Sequence, residues 1–278
     1  MHTRVLCILL LCLVPFVVQA CSTSQSHDGE PSVTVEERRP LPGTPLALEV
    51  VSPGGRGYGS GILVHPRIIL TAGHIVASDA TSVIAFTDPA GPREAVRIIK
   101  VLPSEPAVDD RPQSRPIRDW SIPGDDDEDW ALLILASPLS TLPATPAPLL
   151  GNELPTMDSS LRVAGFPFAD HGRDRARRSE RRVMDMNTPV IPTPSHARSS
   201  TQRFFGRGPS SKLDHSGASG GPVFLEARAD PAPLVGIYIG EVSYDFLGLR
   251  LRSELVFRRL PIAEIHRAID ALNSVQAP

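Results

Sequence analysis

Cysteine is nearly missing from this chain. There are 3 in 278 residues, and Cys7, Cys12 and Cys21 all lie near the N-terminus. Everything after Cys21 therefore has to fold without a disulfide and offers no thiolate metal site. His27, His65, His171, His196 and His215 fall at no metal-ligand spacing, so neither a metal nor another cofactor is expected. Aromatic residues make up only 5%, which excludes a platform for stacking bases. The net charge of −3 and the sequence pI near 6.2 exclude a globally basic surface, so no nucleic-acid partner is expected. One apolar run stands out, Val5 to Val18, and it is too short and wrongly flanked to span a membrane.

What is present begins with an export signature. Met1-His2-Thr3-Arg4 is a short positive segment, the apolar run follows, and Val18-Gln19-Ala20-Cys21 closes it. Residues 1–20 read as a signal peptide. A small residue before a cysteine at the end of such a run resembles the bacterial lipoprotein processing site, from which Gln19 departs. That resemblance implies a lipid on Cys21 and membrane attachment through it. Cleavage after Ala20, giving a soluble secreted or periplasmic product, is the alternative. Residues 21–43 are polar, Pro-containing and aperiodic, and read as a flexible tether. As a coil, some 22 residues reach roughly 25 Å.

From residue 44 the chain is cut into short apolar runs by 29 prolines and 21 glycines, a punctuation that favours strands and turns over long helices. Six strands are expected over 44–145: Leu46–Val51, Ser60–Val64, Arg67–Leu70, Val83–Phe86, Val96–Val101 and Ala131–Leu135. A Pro- and acid-rich loop at 103–129 interrupts them, and 137–155 reads as a connection. A second set is expected over 146–278: Leu161–Ala164, Val183–Ile191, Arg203–Phe205, Val223–Leu225, Leu234–Ile239 and Phe246–Leu251. Within it Arg173, Arg175, Arg177, Arg178, Arg181 and Arg182 crowd a segment that reads as a solvated loop or hairpin, with docking of an acidic partner as the other use for it. One helix is expected at Pro261–Leu272. Proline suits its first position, Ile262, Ile265, Ile269 and Leu272 share a face, and His266 is a surface residue.

The chain is organised around His215-Ser216-Gly217-Ala218-Ser219-Gly220-Gly221-Pro222. A serine framed by glycines suits a nucleophile on a tight turn, because glycine takes positive φ and lets a substrate approach the backbone. Two other stretches answer it. Leu70-Thr71-Ala72-Gly73-His74 puts an imidazole at the end of an apolar strand. Asp129-Trp130-Ala131-Leu132-Leu133 puts a carboxylate at the start of a buried one. A buried acid needs a partner, and a histidine N–H is a suitable one. Asp125, Asp126, Asp127 and Glu128 are rivals to Asp129.

The three stretches, in the order His, Asp, Ser, resemble the boxes of the chymotrypsin-like (trypsin-fold) serine peptidases. Thr71-Ala-Gly-His74 resembles the histidine box. Asp129-Trp-Ala-Leu-Leu133 resembles the aspartate box, whose phase selects Asp129 over its acidic neighbours. Gly217-Ala-Ser-Gly-Gly-Pro222 resembles the serine box. Gly59-Ser-Gly-Ile-Leu63 fits the strand before the histidine box, and Val163-Ala-Gly-Phe-Pro167 resembles the strand opening the second barrel in the bacterial glutamyl-endopeptidase-like branch. The resemblance covers roughly 44–272. It implies an all-β fold of two six-stranded antiparallel barrels followed by the C-terminal α-helix, and hydrolysis of a protein or peptide substrate. Ser219 is implied as nucleophile, His74 as base and Asp129 as its orienter. The N–H groups of Gly217 and Ser219 are implied as an oxyanion hole, on the order of 3 kcal/mol per donor. For substrate binding it points to Asp214 and Tyr238; a carboxylate at Asp214 favours Lys or Arg at the cleaved residue. Relatives specific for glutamate carry histidine where Tyr238 falls.

The chain departs from the digestive members in one respect. They carry an aspartate just before the serine, paired with a freed N-terminal ammonium, whereas this chain has Ala218. Packing would then have to hold the oxyanion loop. Two other readings stay open. One is a catalytically inactive trypsin-fold lipoprotein that binds a partner. The other is an α/β-hydrolase esterase, since Gly217-Ala-Ser-Gly-Gly221 also satisfies that elbow pattern, with Asp245 and His266 as acid and base.

Overall fold

The computed structural model describes residues 40–102, 129–148, 155–169, 180–194, 201–209, 215–226, 231–246 and 249–276. By contacts the chain divides into Met1–Arg39 and Pro40–Pro278, and all the described residues lie in the second unit. Cys21, Asp214, the acidic run at 125–128 and the arginines at 173–178 fall outside them.

Among the described residues, twelve strands close into two antiparallel barrels. The first holds β1 (Pro45–Ser52), β2 (Gly55–His65), β3 (Ile68–Thr71), β4 (Ser82–Phe86), β5 (Glu94–Leu102) and β6 (Ala131–Leu135), hydrogen-bonded in the order β1-β2-β3-β6-β5-β4. The second holds β7 (Ser160–Gly165), β8 (Met184–Ile191), β9 (Arg203–Arg207), β10 (Pro222–Leu225), β11 (Leu234–Phe246) and β12 (Leu249–Arg259), in the order β10-β11-β12-β9-β8-β7. Helix α1, Ile262–Gln276, follows. This is the two-barrel, one-helix architecture the sequence implies. Among the described residues there is no parallel sheet for an α/β-hydrolase, and the serine stretch runs into strand β10 rather than a helix. One expected strand is corrected. Phe246–Leu251 straddles the end of β11 and the start of β12, a hairpin whose long arms pair from Gly236↔Arg259 to Phe246↔Leu249.

The apolar runs without alternation are the strands buried on both faces. In β6, Leu133 and Leu135 point into the first barrel beside Leu46, Leu48, Leu63 and Ile69. Leu132 and Ile134, on the opposite face, join a second cluster with Ile62, Leu70, Trp130, Phe224, Ile237 and Val256. That second cluster is the seam between the barrels. Helix α1 contributes Ile265, Ala268 and Leu272 to it, with Ile269 packed alongside, and His266 stays exposed. Inside the second barrel lie Leu161, Val163, Val223, Leu255 and Phe257 together with Ala218 and Tyr238. Burying such side chains is worth about 1.5–3 kcal/mol each, which is how the barrels close without a disulfide.

Candidate active site

The imidazole and the carboxylate meet where the first barrel faces the seam. β3 ends at Thr71, and a single 3-10 turn, Gly73–Ile75, carries His74. β6 pairs with β3 so that Thr71 faces Ala131, which brings Asp129 alongside. The carboxylate holds the histidine in two ways. Asp129 Oδ1 accepts the His74 backbone N–H at 2.9 Å. His74 Nδ1 lies 2.9 Å from Oδ2 and 3.1 Å from Oδ1. The Asp129 side chain is 7% exposed and that of His74 24%. The acid is thus enclosed and the imidazole reaches solvent. With Nδ1 held as the donor to a carboxylate, Nε2 of a neutral ring is left as a base.

The serine loop comes from the other barrel and is fastened to the first through β2. Ser60 N–H donates to the Ser219 carbonyl at 2.7 Å. Gly220 takes φ +86, and a Cβ there would strike the Ser60 carbonyl and the Thr71 hydroxyl, so glycine is required both for the turn and for the approach. Gly220 N–H donates to the Tyr238 carbonyl at 2.7 Å, and Tyr238 N–H donates to the Gly221 carbonyl at 2.8 Å. The phenol ring of Tyr238 is buried in the second barrel, edge-on to His215 with centroids 6.3 Å apart. Its main chain thus anchors the loop.

Two peptide groups beside Ser219 have fixed orientations. The Ser216 carbonyl accepts the Phe168 N–H at 2.8 Å, and the Ala218 carbonyl accepts the Gly221 N–H at 2.8 Å. In a planar trans peptide the N–H points opposite to its carbonyl, so these bonds set the direction of the Gly217 and Ser219 N–H groups. Neither N–H has an acceptor among the described residues. Gly217 takes φ +90, a conformation open to glycine. Ala218 is fully buried, in keeping with its lack of charge.

Sequence reasoning missed two residues near this loop. Arg181, expected in a solvated loop, is 6% exposed. Its backbone forms an isolated bridge with Phe168, and its side chain reaches inward to the Phe166 and Gly217 carbonyls. His215 is buried too, its Nδ1 2.8 Å from Glu241 Oε2 on β11. A buried charge without a neighbouring opposite charge in sequence leaves no one-dimensional signal.

Two barrels closing on such a site define a class of protein, the trypsin-fold peptidases. The model of the trypsin-like peptidase domain matches residues 59–237, and the chain belongs to that family. Among solved structures the fold is similar to the scabies mite inactivated protease paralogue S-I1, at 18% identity and TM-score 0.55, over 82% of this chain and 94% of that one. It is similar also to mouse brain neuropsin, a serine protease expressed in the limbic system, at 16% identity and TM-score 0.55, over 81% and 94%. No curated protein matches the chain by sequence.

Proposed function

We propose that the chain is a serine endopeptidase. The observation that carries this reading is the His74–Asp129 pair, enclosed at the acid and open at the imidazole, in a family of peptidases. Ser219 Oγ attacks the carbonyl carbon of a peptide bond while His74 Nε2 takes its proton. Asp129 holds the ring in the Nδ1–H tautomer and stabilises the imidazolium. The Gly217 and Ser219 N–H groups receive the charge on the tetrahedral oxyanion. The C–N bond then breaks, with the His74 proton passing to the leaving amine. Water attacks the acyl-enzyme by the same steps and releases the acid. A fluorophosphonate probe tests the assignment. Wild-type protein should be labelled, and Ser219→Ala should not.

The second reading, an inactive binding module, draws on the fold being shared with a mite paralogue described as inactivated. Absence of labelling in folded wild-type protein selects it. Export as a lipoprotein on Cys21 belongs to the proposal as well; Cys21→Ala should move the protein from the membrane to the soluble fraction. A preference for Lys or Arg through Asp214 is tested with a peptide library on Asp214→Ala.

A further inference from the structure

Arg181 is a cation in a place where cations are costly. Burial pushes its guanidinium down to about 10, so it is charged at neutral pH, yet no carboxylate lies within ion-pair distance of it among the described residues. Its partners are carbonyls and rings. Nη1 donates to the Phe166 carbonyl at 2.9 Å and to the Gly217 carbonyl at 3.5 Å. Nη2 reaches the Leu48 carbonyl on β1 at 3.4 Å. The guanidinium lies 4.2 Å from the centre of the Phe168 ring and 5.6 Å from that of Tyr58. Those three carbonyls belong to the end of β7, the serine loop and the first barrel. A buried ion held this way is a weak source of stability, because desolvation offsets most of what its partners return.

Its place explains what it does. The Gly217 carbonyl has a second donor, the Ser60 hydroxyl at 3.0 Å, and that hydroxyl in turn accepts the Phe166 N–H at 2.8 Å. A Cβ on Gly217 would strike Arg181 Nη1, so the guanidinium lies directly against the Cα of that glycine. The Phe168 N–H that orients the Ser216–Gly217 peptide belongs to the residue whose ring the guanidinium covers. The guanidinium therefore bonds the Gly217–Ala218 peptide through its carbonyl and packs on the residue whose N–H bonds the Ser216–Gly217 peptide. The neighbouring Ala218 has no side-chain acceptor with which to hold the loop.

We propose that Arg181, seconded by Ser60, is the positioning residue that keeps the Gly217 N–H turned toward the oxyanion. The proposal rests on the reading of Ser219 as nucleophile. It makes the loop ready without a charged residue at 218 and without a freed N-terminus. The experiment compares second-order rates of fluorophosphonate labelling, with thermal unfolding as the control on folding. Arg181→Ala should label about 10²-fold more slowly, and added methylguanidinium should restore part of that rate by entering the space left. Ser60→Ala, which removes one of the two donors and keeps the cation, should lose about tenfold, consistent with one neutral hydrogen bond of about 1.4 kcal/mol. Folded Arg181→Ala and Ser60→Ala proteins labelling at the wild-type rate would overturn the proposal while leaving Ser219 as nucleophile. So would a loss that tracks the unfolded fraction and is not restored by methylguanidinium. Failure of the wild type itself to label would overturn both readings. Should Arg181→Ala not fold, Ser60→Ala and Arg181→Lys carry the same comparison.

Discussion

Two histidines in this molecule are each held through Nδ1 by a carboxylate, and they differ in what the other side of the ring meets. His74 sits 2.9 Å from Asp129 with its side chain 24% exposed. His215 sits 2.8 Å from Glu241 with its side chain 4% exposed. The first pair joins a turn to the start of a strand, and its imidazole is partly exposed. The second spans from the serine loop to β11 and is closed in, with Tyr238 edge-on to the ring. On the proposed reading similar contacts serve two ends: the imidazole that can reach a substrate acts as a base, whereas the one that cannot is a strut between a loop and its wall.

Substitutions break or sharpen this contrast, beginning with the largest effect. His74→Ala and Ser219→Ala should each cost on the order of 10⁶-fold in turnover and little in melting temperature, read from peptidase assays beside thermal unfolding. Asp129→Asn keeps the shape but lets the wrong tautomer form, and should cost about 10⁴-fold in turnover. At the second pair the cost moves from rate to stability. His215→Phe removes the Nδ1 donor from Glu241 and should lower stability by about 2–3 kcal/mol, visible as a shift in denaturant midpoint, with the fraction that remains folded still labelled by fluorophosphonate. Glu241→Gln is the mildest, about 1 kcal/mol, because an amide oxygen still accepts from the imidazole; the rate per folded molecule should not change. A large rate loss in Glu241→Gln would erase the distinction between base and strut.

Much of this was legible in one dimension, and the reasons are particular. β6 appears at its expected bounds, Ala131–Leu135, because both its faces are buried and the run is apolar throughout. Helix α1 appears because its 3.6-residue stripe packs on the seam. His74 and Asp129 could be singled out because each abuts an apolar strand and each falls in phase with a box of the family that the sequence resembles. Arg181 could not. Its three carbonyl partners come from residues 48, 166 and 217, and carbonyls carry no signature of residue type. Composition groups it with solvated arginines, while its side chain is buried. The burial of His215 leaves no signal in sequence for the same kind of reason, since Glu241 is on another strand. The β11–β12 hairpin reads in one dimension as two short strands, because its middle, with Glu241, Ser243, Arg252 and Glu254, is polar and the apolar run Phe246–Leu251 lies across its turn.

Ser60 has a consequence in time as well as in space. Its hydroxyl holds a carbonyl 157 residues further along the chain, and its N–H holds that of Ser219. Contacts of such separation are among the slowest to form. The first barrel, with His74 and Asp129, is complete in sequence before β7 begins, whereas the bonds from Ser60 to the serine loop form only when both barrels are present. On the proposed reading, a growing or half-folded chain carries base and acid long before it carries a working nucleophile.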